Sequence, residues 1–297
     1  GNSVKSLLLV FLILALALSN GIMVLGQAVD YGNSWAKNEI DYMREKEILV
    51  GYPDRTFKPN NKMSKAEFFK VINGLIGYTE KSENEFTDVN STDWYYEEVQ
   101  KGLKAKYIVP NTVLNASENI TRGEVSRIIS FVFDVEEDVS ESETFVDSLN
   151  FPEELRGVIG GLKKNGFING FPDGTFKPEA EITRAEVVKM LSNITGDIIN
   201  TPITFSENAN SNIIVNTPGV VLKDMIIEGN LYLTEGIGEG DITLDNVVVK
   251  GEIIIKGGGA SSIAINNSKI NKVIIRKEES LVRVVFENTT DEEVKAV

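Results

Sequence analysis

Gly170-Phe171-Pro172-Asp173-Gly174-Thr175-Phe176-Lys177-Pro178, followed shortly by Ile182-Thr183-Arg184-Ala185-Glu186, decides the fold, because the chain carries the pattern more than once. Gly51-Tyr52-Pro53-Asp54-Arg55-Thr56-Phe57-Lys58-Pro59 leads to Met63-Ser64-Lys65-Ala66-Glu67, and both Gly51 to Gly170 and Lys65 to Arg184 are steps of 119 positions. A middle copy keeps Ile120-Thr121-Arg122-Gly123-Glu124 but reads Ile108-Val109-Pro110-Asn111 in place of the glycine turn. The chain is therefore a three-unit repeat over its first two thirds.

Each unit can be read physically. Trp35, Ile40, Met43 and Ile48, or Trp94, Val99, Leu103 and Ile108, recur at helical spacing and predict an amphipathic helix. The Pro-Asp-Gly or Pro-Asp-Arg that follows predicts a tight turn, Pro presetting φ and Gly tolerating positive φ. Ser64 with Glu67, Thr121 with Glu124 and Thr183 with Glu186 are capping boxes that start a second helix. Lys65, Arg122 and Arg184 then place a cation in the first helical turn, where the macrodipole favours acidic residues by about 0.3–1 kcal/mol. Three such cations, beside the free N–H groups of a helix start, predict an anion arriving from outside.

These residues resemble the S-layer homology family, whose triplicated modules have an initial Phe-x-Asp, a Trp-led helix, a Gly-Tyr-x-Asp-Gly-Thr-Phe turn and an Ile-Thr-Arg-Ala-Glu helix start. The resemblance runs from Val29 to Ile194, with units at 29–85, 86–144 and 145–200. It implies a mostly helical, pseudo-threefold domain whose grooves bind the secondary polysaccharide attached to peptidoglycan, through an acidic, pyruvylated sugar. It also implies noncovalent anchoring of a surface protein on a bacterial wall. Carried across residue by residue, the binding positions are Asp30, Trp35, Gly51, Tyr52 and Lys65 in unit one, with Asp30 one residue out of step. Unit two supplies Asp88, Trp94 and Arg122, and unit three supplies Asp147, Gly170, Phe171 and Arg184.

Lys65 lacks the planar fork of Arg, Arg55 stands where the turn prefers Gly, and unit three has no Trp. Structural readings compete with the functional ones. Trp35 and Trp94 suit core anchors, and Asp88 and Asp147 suit helix N-caps.

Lys5, the apolar run Leu7 to Leu18 and the ending Gly26-Gln27-Ala28 read as a secretory signal, with cleavage after Ala28. The competing reading is a retained membrane anchor, but the run is short of the about 20 apolar residues that span a bilayer. Losing Lys5 moves the formal charge from −14 to −15, which argues against nucleic acid and against long-range attraction to an anionic wall. With no Cys the chain has no disulfide framework, so its stability comes from a packed core.

Beyond Thr201 short β-branched runs separated by Gly, Asn and Asp take over, and a second repeat emerges. Val220 to Ile242 is 22 positions, Ile242 to Ile263 is 21 and Ile263 to Val284 is 21, with Leu222, Leu244, Ile265 and Phe286 in register. Three short strands per period predict a right-handed parallel β-helix over 201–297, giving a multidomain α+β chain. Ile203–Phe205 and Ile213–Val215 would begin it, and the polar tail from Asn288 would cover its end.

Such a solenoid serves as a spacer, a docking face for another surface protein or an assembly element. β-Helices also carry polysaccharide-degrading enzymes, and Asp224, Asp241 and Asp245 are the acids available. With no His in the chain, and Asp common at coil corners, turn chemistry is the simpler reading. Glu235, Glu239 and Asp241 crowd a Gly-rich loop without the spacing of an EF-hand. The sequence calls for no metal, no cofactor and no catalytic residue.

Overall fold

A computed structural model describes residues 30–260 and 262–297 of the 297-residue chain. The expected signal segment 1–28, with its cleavage point after Ala28, lies outside the described residues, as does Val29. Among the described residues no helix is long and apolar enough to cross a membrane.

The repeats form helices α1 (Lys37–Glu45), α2 (Lys65–Ile76), α3 (Tyr96–Lys104), α4 (Arg122–Val132), α5 (Val139–Ser142), α6 (Glu153–Lys164) and α7 (Arg184–Thr195). The second helix of each unit packs on the first helix of the next: α2 on α3, α4 on α6, and α7 back on α1. The cycle closes on a backbone ring at the pseudo-threefold axis. Met63 N–H donates to Ile182 O at 3.1 Å, Ile182 N–H to Ile120 O at 3.2 Å, and Ile120 N–H to Met63 O at 2.9 Å. All three side chains are buried.

Directly after the ring, the hydroxyls of Ser64, Thr121 and Thr183 accept the N–H of Glu67, Glu124 and Glu186 and start α2, α4 and α7. The reciprocal bond that completes a capping box, Thr183 N–H to Glu186 Oε1 at 3.2 Å, forms in α7.

Strands β1 (Asp197–Ile199), β2 (Thr204–Phe205), β3 (Ile213–Val215), β4 (Val220–Ile227), β5 (Leu231–Leu233), β6 (Ile242–Ile255), β7 (Ile263–Asn266), β8 (Lys269–Ile275), β9 (Val284–Glu287) and β10 (Glu293–Ala296) wind into a parallel solenoid of about four turns. Val220, Ile242, Ile263 and Val284 stand in one register, as their spacing predicts. The ladder begins at Asp197, one residue past the helical cap, so it reaches further back than Ile203. The tail does not cover the last coil: Glu293–Ala296 extends the ladder by pairing with Lys272–Ile275.

Corners of the coils are made by Asp224, Asn246, Asn267 and Asn288, all at positive φ, which Asn and Asp tolerate best. Asn246 Nδ2 donates to Asp224 Oδ1 at 2.8 Å and Asn267 Nδ2 to Asp245 Oδ1 at 2.9 Å. Asp245 lies in register with Lys223, not with Asp224, so the two acids do not stack.

One outward row of the solenoid, Ile198, Ile214, Tyr232 and Ile254, is buried and joins the core of the repeats. Around it, solenoid side chains satisfy carbonyls at the ends of the second helices. Asn216 Nδ2 donates to Leu75 O at 2.8 Å, Asn212 Nδ2 to Ile194 O at 2.7 Å, and Lys256 Nζ to Val132 O at 3.1 Å. These are among the carbonyls a helix cannot satisfy internally. The solenoid is thus a shared cap for α2, α4 and α7.

Candidate functional site

The opposite, N-terminal ends of the same helices carry the three cations. Each leaves its own unit and reaches the next one round the ring. Arg184 donates from Nε to Phe57 O at 2.7 Å and from Nη1 to Glu67 Oε2 at 2.8 Å, lying over the Tyr52 and Phe57 rings. Arg122 repeats this in the next groove, with Phe176 O at 2.8 Å, Glu186 Oε2 at 2.6 Å, and the Phe171 and Phe176 rings. Both arginines are buried. Burial pulls Arg122 below its ordinary pKa while Glu186 opposes the shift, and a guanidinium stays charged throughout. Lys65 makes the looser equivalent, 3.4 Å from Leu114 O and 3.9 Å from Glu124.

The expectation of free helix-start N–H groups is corrected here. Arg184 and Ala185 donate to Asn61 O and Pro59 O, Arg122 and Gly123 to Ala180 O and Pro178 O, and Lys65 and Ala66 to Glu118 O and Ala116 O. The third N–H is taken by the capping hydroxyl. No helix-start anion site remains at these positions, and the side chains must do any recognition.

The three aspartates have one structural job. Asp30 accepts from the N–H of Phe57 and Lys58 at 2.7 and 2.8 Å, Asp88 from Leu114 and Asn115 at 2.9 and 2.8 Å, and Asp147 from Phe176 and Lys177 at 2.9 and 2.8 Å. Each clamps the turn of its own unit and none has its carboxylate capping a helix, even though Asp147 precedes the 3-10 turn Ser148–Asn150, and Asp30 is equivalent to the others despite its spacing. Two backbone donors hold Asp88 below the usual carboxylate range.

Gly51 and Gly170 sit at φ 96° and 76°, and a Cβ there would lie 2.6 and 2.7 Å from Thr56 O and Thr175 O. These glycines let Tyr52 N–H and Phe171 N–H close onto the same carbonyls. Arg55 adopts φ 69° where its counterpart Gly174 has 83°, so the misfit seen in sequence is real strain.

Trp35 and Trp94 are 63% and 59% exposed, which overturns the core-anchor reading. Trp94 stands near Lys70, outside the cavity described next.

That cavity, of about 170 Å³, lies in the groove between units one and two. Lys65, Asn111, Glu124 and Arg127 give it polar groups, and Phe69, Phe86, Val109 and Val113 its apolar wall. It exists because the turn of unit two, two residues shorter than its counterparts, brings no aromatic ring to the position of Tyr52 and Phe171. Lys65 fills less of the space than an arginine would. Arg127 hydrogen-bonds Tyr107 O at 3.3 Å, and burial lowers its pKa against the pull of Glu124.

Sequence reasoning missed Arg127, which carries no motif, and it read Glu67, Glu124 and Glu186 only as caps. The signal for the latter was present: a cation and a carboxylate two residues apart recur in every unit, a pattern that lets neighbouring units pair.

Comparison with known proteins identifies the repeats. The family model described as S-layer homology domain matches residues 29–69, 85–126 and 150–188. An amylopullulanase of Thermoanaerobacterium thermosulfurigenes is 31% identical over 170 residues, covering 54% of this chain and 9% of that protein. A cellulosome-anchoring protein of Acetivibrio thermocellus is 28% identical over 159 residues, 49% of this chain and 34% of its own length. The surface-layer 125 kDa protein of Lysinibacillus sphaericus is 23% identical over 187 residues, 57% of this chain and 15% of its own. The chain thus spans from about a tenth to about a third of these relatives.

Proposed function

From the presence of three S-layer homology domains within residues 29–188, we propose that this chain anchors an exported protein to a bacterial cell surface by binding wall polysaccharide in the grooves between units. Relatives named as a cellulosome-anchoring protein and a surface-layer protein support the anchoring role. The single observation that carries the reading is the open groove between units one and two. It offers Lys65 and Arg127 to a carboxylate, Asn111 and Glu124 to hydroxyls, and Val109 and Val113 to an apolar substituent. That set suits an acidic sugar, and a pyruvylated one fits the mixture of charge and methyl-sized apolar wall.

The assignment shifts weight among the candidate residues. Lys65 acts directly on sugar in the open groove, while the exposed rings of Trp94, outside that cavity, and of Trp35 offer stacking faces to the rest of the polymer. Arg122, Arg184, Tyr52 and Phe171 form the walls of the two filled grooves, and Asp30, Asp88, Asp147, Gly51 and Gly170 shape the turns. The solenoid acts as a spacer or a docking face for a partner protein, and the chain acts as an anchor rather than as an enzyme.

Cosedimentation of the full chain with purified sacculi, before and after hydrofluoric acid removal of the attached polysaccharide, tests the reading. Binding should vanish on extraction. Lys65→Ala and Arg127→Met should each weaken it by about tenfold, the cost of one charge-assisted hydrogen bond, with the thermal midpoint of Lys65→Ala unchanged. Binding indifferent to extraction would sink the anchor reading. Release of reducing or unsaturated sugar from the sacculi would favour an enzyme instead.

A further inference from the structure

The seam between solenoid and repeats contains a cluster of ionisable groups that no groove uses. Glu235 opens the short 3-10 turn Glu235–Ile237 after β5 and is pressed against the end of α2. There Thr234 Oγ1 donates to Ile76 O at 2.7 Å, and the approach is close enough that a Cβ on Gly77 would lie 2.6 Å from Gly236 Cα. A void of only about 10 Å³ remains, lined by Ile76, Phe133, Asp134, Tyr232, Glu235 and Lys256. It has room for at most one water, so a charge created on the half-buried Glu235 is poorly hydrated on the side facing the seam.

The groups facing Glu235 come from every element packed around it: Tyr78 from unit one, Asp134 from unit two, and Lys256 from the end of β6. Asp134 is already engaged by two cations of the solenoid, forming an ion pair with Lys256 and accepting from Arg276 Nη1 at 2.8 Å. Lys256 therefore divides its attraction between Asp134 and Glu235, and also donates to Val132 O.

We propose that this seam is a proton-operated latch, in which the solenoid sits firmly on the repeats in acid and loosens as Glu235 gives up its proton. Burial is the largest influence on Glu235 and raises its pKa, ahead of the lowering effects of Lys256 and Tyr78. A carboxyl raised on docking contributes stability that is complete below its ordinary value and is lost as pH climbs through the raised one. The phenols do not compete in that range: burial pushes Tyr78 and Tyr107 well up and Tyr232 to about 12. A wall-attached chain is exposed directly to the pH of its surroundings, so the latch would set how rigidly the solenoid is held.

Amide hydrogen exchange on the full chain, corrected for intrinsic rates between about pH 5 and about pH 9, provides the test. Protection of segments 73–78 and 232–237 should fall by about tenfold per pH unit from the ordinary carboxylate value up to the raised one and level off above it, while Met63, Ile120 and Ile182 keep theirs. Glu235→Gln should flatten the profile. Tyr78→Phe removes a group that favours the ionised carboxylate and should move the levelling-off to higher pH. A flat wild-type profile, the same slope in Glu235→Gln, or an unmoved levelling-off in Tyr78→Phe would overturn the latch; the last holds even if Glu235→Gln fails to fold.

Discussion

Two of the three grooves are filled and one is open, although all three are built from the same pattern. Where the turn keeps its Gly-Tyr or Gly-Phe, the ring lies under a buried arginine whose ends are spent on a carbonyl and a glutamate. Where the turn has lost it, a lysine reaches across empty space at 3.4 to 4.0 Å. The motif most faithful to the family pattern thus makes the stiffest joint, and the most degenerate unit makes the most room. A motif can be retained for closure of the ring as readily as for the ligand.

The largest effect that would sharpen this contrast is Arg184→Ala. It removes the cation paired with Glu67, leaving that carboxylate only the hydroxyls of Tyr52 and Ser64, and empties the buried space beside Tyr52, and should cost about 3 kcal/mol in denaturant unfolding. A loss below about 1 kcal/mol would put Arg184 among weak surface pairs and erase the difference between the grooves. Asp147→Ala removes the acceptor for two backbone N–H groups and should cost about 1–2 kcal/mol on the same assay.

Asp88 performs the equivalent clamp in the open groove and its pKa is lowered, so its contribution holds above the ordinary carboxylate value and is lost as pH falls below it. Acid titration of wild type against Asp88→Asn should show that component missing in the variant. Equal acid sensitivity would mean that the clamp of unit two is idle. Arg55→Gly, which relieves a left-handed residue, should stabilise by about 0.5–1 kcal/mol. The smallest effect belongs to Lys65→Ala, within about 0.5 kcal/mol on stability; a larger loss would make the open groove a joint like the others.

Much of this was legible in the chain because repetition converts local signals into long-range ones. The 119-residue step predicts that Gly51 and Gly170 occupy equivalent turns, and the 21- and 22-residue steps fix the registers of Val220, Ile242, Ile263 and Val284, though not the shifted pairing of Glu252–Ile255 with Lys272–Ile275. The site was less legible. An Arg at a helix start looks the same whether it faces a ligand or a neighbour's glutamate, and only the ring closure decides. The exposure of Trp35 and Trp94 depends on where the adjacent helix ends, which no periodicity records. Ile214, Tyr232 and Ile254 read as ordinary strand residues, while their burial comes from a different part of the chain.

The backbone ring of Met63, Ile120 and Ile182 has no first member, and each unit holds one donor and one acceptor meant for different neighbours. Completion therefore has a stoichiometry. A fragment of one unit can satisfy its ring only by recruiting two more copies, and would sediment as a trimer or not fold, while a two-unit fragment would seek its third from another molecule. Wherever this module is cut or duplicated, threes are the number that leaves nothing unpaired.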